Sequence, residues 1–181
     1  VFRQDPDIIM GGEMRDSETA NLAVNTALTG HLMLSTLHTN DAATTLPRLM
    51  DLGVEPYLIT TTVNIVIGQR LVRKICEHCK QPHKLSDNEK KSLADLGGFA
   101  TEKIPETMYR GKGCDECLGS GYRGRVGIYE VMVIDDAIRE AMLEKCSAAN
   151  IKRMAISKGM STMVEDGFRK AIEGVTTPEE V

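Results

Sequence analysis

The stretch Arg3-Gln4-Asp5-Pro6-Asp7-Ile8-Ile9-Met10-Gly11-Gly12-Glu13-Met14-Arg15-Asp16 decides the fold. Its short apolar run, Asp7 to Met10, stops at Gly11-Gly12-Glu13, the pattern of a buried strand ending at a loop. A strand that delivers a glutamate to its carboxyl end puts that carboxylate in the crevice where open α/β sheets bind ligands. In nucleotide hydrolases an acid so placed positions water or helps hold Mg²⁺. Arg3 and Arg15 are suited to neutralising phosphate charge. The same residues also fit a strand with solvated charged flanks, and at this point both readings stand.

Working outward, Asp16 or Ser17 caps a helix from Glu18 to about Thr29, with Gly30 as its stop. His31–Leu37 is a second apolar run of strand length, read as buried. Asp41 caps a helix towards Leu52 with Gly53 as its stop, and Pro47 inside that span is expected to kink it or delay its start. Leu58–Gly68 is ambiguous between helix and strand by periodicity, and Gln69–Ile75 reads as extended. Strand alternating with helix implies an α/β layer around a parallel sheet. Three regions follow: 1–75, this α/β layer; 76–125, rich in cysteine; and 126–181, a strand at Val126–Val133 and then short helices beginning near Asp135/Asp136 and Ser147, with a third carrying Met163, Phe168 and Ile172. Thr177-Pro178-Glu179-Glu180 reads as a helix start. The chain opens at Val1 without a leader, and the expectation is that it belongs to a longer polypeptide.

Composition narrows the function. The 181 residues carry 22 Lys+Arg against 26 Asp+Glu, a net charge of −4, and only 4% are aromatic. A nucleic-acid binder working through a basic surface or stacking platforms is therefore disfavoured. A hydrophobic fraction of 41% fits a folded globular chain. No apolar stretch approaches the roughly 20 residues that a membrane-crossing helix needs, so direct membrane insertion is not expected. The ten Met read as core filler.

Cys76-Glu77-His78-Cys79 and Cys114-Asp115-Glu116-Cys117 are two C-x-x-C pairs. The two-residue spacer lets both sulfurs of a pair reach one metal, and four thiolates complete a tetrahedral Zn²⁺ site with no open position for chemistry. The site is read as structural. His78 and His83 are read as exposed or outside the ligand set, and Cys146 as a small packed residue on a helix. In Thr29–Ala42, His31 and His38 bracket the second strand. Positions seven apart point to opposite faces of an extended strand, which argues against their sharing one metal. His38 sits at the strand's carboxyl end beside Thr39, Asn40 and Asp41.

Arg3–Asp16 resembles the Walker B segment of the secretion ATPases, and Thr29–Ala42 resembles their histidine box. Gln69-Arg70-Leu71-Val72-Arg73 followed by the four cysteines resembles the assembly branch of that family, the type II secretion and type IV pilus extension ATPases. The resemblance implies a partial RecA-like core of the P-loop NTPase class, then a zinc subdomain and a small helical region. It implies ATP hydrolysis with Mg²⁺, Glu13 as the catalytic carboxylate, and His31, His38, Arg3 and Arg15 as nucleotide-binding residues. It implies Cys76, Cys79, Cys114 and Cys117 as zinc ligands. It implies a homo-hexamer in the cytoplasm that meets the inner membrane through a platform protein. The family's phosphate-binding loop, G-x-x-x-x-G-K-[ST], is not in this sequence. On this reading the loop precedes Val1, and the chain alone is expected to be inactive. The alternative weighed beside it is a non-enzymatic, zinc-stabilised protein-interaction module.

Overall fold

The computed structural model describes residues 6–97 and 104–181, residues 96 and 97 by backbone alone. The chain forms two compact units, Val1–Gly68 with Val131–Met160, and Gln69–Glu130 with Ser161–Val181.

In the first unit, β1 (Ile8–Glu13) pairs in parallel with β2 (Leu32–Thr36). Between them runs α1 (Ser17–Leu28), whose N-cap Asp16 accepts the Thr19 N–H at 2.8 Å. A cap of this kind satisfies one of the four amide donors that a helix start leaves open. Helix α2 (Ala42–Asp51) starts at a full capping box in which Asp41 accepts from Thr44 N, and Thr44 reaches back to Asp41 N. It runs through Pro47 rather than starting after it. Gly53 at φ +84° ends it, a left-handed conformation that glycine adopts without strain. The ambiguous stretch divides into α3 (Pro56–Thr62), with proline in its first turn, and β3 (Ile65–Ile75). The Thr60, Thr61 and Thr62 hydroxyls all donate to carbonyls three or four residues back, which lets a threonine run complete a helix. Helices α5 (Asp136–Leu143) and α6 (Ala148–Ser157) begin at Asp135 and Ser147. The core gathers Leu46, Ile59, Met132, Ile138, Met142 and Ile151, all buried.

Two expectations are corrected here. β1 and β2 are not buried on both faces: Met10 is 81% exposed, and Ile8, Leu32 and Leu34 are also exposed. A sheet of two strands has one face against α1 and the other open among the described residues. Cys146 lies in the turn between α5 and α6 rather than on a helix, where it packs against the core.

In the second unit, β4 (Lys80–Lys84) and β5 (Thr107–Gly111) form an antiparallel ladder, with α4 (Asp87–Gly97) between them in sequence. β6 (Tyr122–Val133) pairs with β3. Helix α7 (Met163–Ile172) starts at a Thr162/Glu165 capping box. Small apolar clusters around Val72, Ile128 and Met163, and around Leu85, Met108 and Ala171, hold this unit. The residues after α7 are stitched down by polar contacts. Glu180 accepts from the Arg73 guanidinium and backbone N–H, Glu179 accepts from Arg110, and the Tyr122 and Thr177 hydroxyls share a hydrogen bond. The expected helix at Thr177 is one 3₁₀ turn, Pro178–Glu180.

Candidate functional site

Glu13 is the last residue of β1, paired with Thr36 at the carboxyl end of the parallel pair. Its carboxylate accepts a hydrogen bond from Arg15 at 2.8 Å and lies 2.9 Å from His38 Nε2. These groups line an open cavity of about 310 Å³ with Met14, Leu37 and Arg48. The hydrogen bond from Arg15 holds the Glu13 carboxyl below the ordinary carboxylate range. Desolvation opposes this, and the charges of Arg15 and His38 reinforce it. At neutral pH the group is a carboxylate, a hydrogen-bond acceptor with little appetite for a proton.

One carboxylate shares the cavity with two guanidinium groups and an imidazole, so positive charge exceeds what Glu13 neutralises, an arrangement suited to taking up an anion. Arg48 is the residue that reading the sequence missed. It stands about two helical turns after the Asp41 cap, so helix geometry had already placed it near the face that follows His38. Asp41 itself is engaged by Lys152 at 2.8 Å.

Of the residues singled out by sequence, the structure brings Glu13, Arg15 and His38 together. His31 precedes β2, at the opposite end of that strand from His38, and its Nδ1 is 2.8 Å from the Thr29 hydroxyl. It does not line the Glu13 cavity. Arg3 lies outside the described residues.

In the second unit the four cysteine sulfurs lie within 4.8 Å of one another. Cys76–Cys114 and Cys79–Cys117 are each 3.9 Å apart, and Cys114–Cys117 is 3.7 Å. Four sulfurs at about 2.3 Å from a tetrahedral Zn²⁺ stand roughly 3.8 Å from one another, so the donor set fits that ion. Backbone amides face the sulfurs: Gly113 N donates to Cys79, and Cys114 N and Gly121 N donate to Cys117. Gly121 ties the two pairs together, because its carbonyl also accepts from Cys76 N at 2.9 Å. It sits at φ +77°, and a Cβ there would meet the Gly111 carbonyl oxygen at 2.7 Å, so only glycine fits.

Burial pushes the Cys114 thiol up to about 11. Burial also acts against the Cys117 thiolate, but the amides of Cys114 and Gly121 outweigh it and bring that group down to about 6. The acidities of Cys114 and Cys117 are thus driven apart in the absence of a cation, and a divalent metal is what would allow all four sulfurs to be thiolates at once. His78 is exposed, and His83 pairs with Glu89 at 3.2 Å; neither joins the cluster.

Residues 1–181 match the sequence model of a family described as Type II/IV secretion system protein. The chain is 51% identical over 180 residues to the Type IV pilus assembly ATPase PilB of Thermus thermophilus, covering 99% of this chain and 20% of that protein. It is 48% identical over 181 residues to the Type II secretion system protein E of Pseudomonas aeruginosa, covering 100% of this chain and 35% of that protein. The chain thus spans only a minor part of the length of these relatives. Among solved structures, the pilus retraction motor PilT with bound ADP matches at a TM-score of 0.62 and 26% identity, covering 98% of this chain and 39% of that one. The ATPase DotB of Legionella pneumophila matches at a TM-score of 0.61 and 23% identity, covering 99% and 38%, a likeness of fold. Among the described residues, no helix is long and apolar enough to cross a membrane.

Proposed function

The chain belongs to the type II/IV secretion system protein family, and from that premise we propose that it is part of a motor subunit that hydrolyses ATP to drive the assembly of pilins or pseudopilins. The observation that carries the proposal is the Glu13 carboxylate at the end of a parallel strand, in a cavity lined by Arg15, His38 and Arg48. ATP enters as its Mg²⁺ complex. Phosphoryl transfer passes through a loose transition state that asks for positioning and charge stabilisation more than for a strong base. A carboxylate held below the usual range is suited to such positioning, because it accepts a hydrogen bond from the attacking water and aligns it. Arg15 and His38, which face Glu13 in this structure, are positioned to turn towards the γ-phosphate as negative charge shifts during transfer. Arg48 is proposed as a further cation for the phosphates. Arg3 and His31 carry over from the family resemblance alone, and His31 would act outside this cavity.

The four cysteines are proposed as ligands of one structural Zn²⁺. All four positions are filled by sulfur, so the metal would hold the second unit's loops in place and take no part in hydrolysis. The acting form is proposed to be a homo-hexamer in the cytoplasm, coupled to the inner membrane through a platform protein. Family membership leaves the non-enzymatic module reading without an observation in its favour.

The described residues offer carboxylate, imidazole and guanidinium groups, but no stretch of the sequence supplies the phosphate-cradling loop of these enzymes. The isolated 181-residue chain is therefore expected to release no phosphate from ATP above background, while the full-length protein turns over. Steady turnover by the isolated chain, abolished by chelating Mg²⁺, would contradict this expectation.

A further inference from the structure

β1 does not run in even step with β2. Ile8, Ile9 and Met10 pair with Leu32, Met33 and Leu34, but the next partners are Glu13 and Thr36. β1 takes three steps where β2 takes two, so one extra residue lies in the Gly11-Gly12 pair directly before Glu13. An inserted residue bulges the strand and changes the face to which later side chains point relative to the partner strand. Bulges of this kind often sit beside active sites because they re-aim one side chain.

Ser35 stands on β2 opposite the bulge, between Leu34 and Thr36. Its hydroxyl donates to the Gly12 carbonyl at 2.6 Å. On the far side of Glu13, Met14 N donates to Thr36 O at 2.9 Å. Glu13 is thus flanked by two bonds to β2, one a regular backbone bond and one supplied by a side chain where the ladder is interrupted. Space is open where a Gly12 Cβ would be, whereas a Gly11 Cβ would run into the Met33 side chain. The Ser35 hydroxyl is a side-chain contact that ties the Gly12 carbonyl to β2.

We propose that Ser35 is a positioning residue for Glu13: by holding the Gly12 carbonyl it fixes the bulge that aims the carboxylate into the cavity shared with Arg15 and His38. The inference rests on Glu13 acting in ATP hydrolysis, as proposed above. Ser35 itself touches none of the reacting groups. Its effect is on geometry, and small errors in the placement of a water-orienting group carry large penalties in rate.

The test uses the full-length protein and compares Ser35→Ala, Ser35→Thr, Glu13→Gln and the Ser35→Ala/Glu13→Gln double variant. Steady-state ATP hydrolysis, nucleotide affinity and thermal melting are measured on each. The expected result is a roughly tenfold fall in kcat for Ser35→Ala, with KM and nucleotide affinity unchanged and most of the rate restored in Ser35→Thr. In the Glu13→Gln background, Ser35→Ala adds no further loss, because both changes act through one carboxylate. A lower melting temperature with unchanged kcat would assign the hydroxyl to stability and overturn the proposal. Failure of Ser35→Ala to fold, with Ser35→Thr intact, would overturn it in the same way. If Glu13→Gln leaves kcat intact, the underlying reading of the site fails. If Glu13→Gln loses activity and Ser35→Ala does not, only the role of Ser35 fails.

Discussion

Replacing Glu13 by Gln in the full-length protein is expected to lower kcat for ATP hydrolysis by about 10²–10⁴-fold, the range typical of removing a group that manages the proton-bearing nucleophile. Gln keeps the size and one acceptor oxygen but loses the charge that draws Arg15 and His38 to it. The Arg15 guanidinium is then left with no opposing carboxylate in the cavity, and the His38 ring loses its charged partner. Nucleotide affinity should hold or tighten, because a more positive cavity favours an anion. The fold should persist, since Glu13 and its partners are at the surface and such pairs contribute little to stability. Phosphate-release kinetics together with a nucleotide titration separate these effects. A fall in affinity with unchanged kcat would point to a binding role in place of a catalytic one.

The second large effect is expected at the metal. Gently purified protein should contain one Zn²⁺ per chain, and Cys114→Ser should contain substantially less. Cys114 lies within 3.9 Å of Cys76 and 3.7 Å of Cys117, so its loss opens one corner of the tetrahedron. Among the described residues the apolar clusters of the second unit are small, and loss of its metal should lower its melting temperature by more than about 10 °C. Hydrogen exchange should quicken around 76–79 and 111–121, while α2 and α5 stay protected. Metal analysis by plasma emission and exchange by mass spectrometry read both outcomes. A metal-free protein with unchanged melting would remove zinc from the account.

Much of this was legible in residue order. Asp41 and Ser147 are N-caps as read, and Asp16 and Asp135 are the caps where the residue order offers Asp16 or Ser17 and Asp135 or Asp136, because capping depends on a side chain and the three or four residues after it. The Cys-x-x-Cys spacing foretold the cluster for a similar reason: each pair's geometry is local. Glu13 at a strand end was legible too. What the sequence could not carry depends on neighbours distant along the chain. Ile8 and Met10 look like core residues, yet their burial is set by what covers the sheet face. The bulge at Gly11-Gly12 exists only in the register between β1 and β2, so neither it nor the Ser35 contact could be read from one strand. Leu58–Gly68 has no single period because it is the end of a helix and the beginning of a strand. The separation of His31 from His38 follows from the length of the five-residue β2 between them. The likeness to one named motif had placed both in a single role.

The most direct test of the central claim is the structure of the full-length protein with a non-hydrolysable ATP analogue and Mg²⁺. The account predicts the γ-phosphate in the cavity of Arg15, His38 and Arg48, with a water within about 2.6–3.2 Å of the Glu13 carboxylate and in line for attack. A γ-phosphate bound elsewhere, with Glu13 still held by Arg15 and His38 and no nucleotide near them, would contradict it.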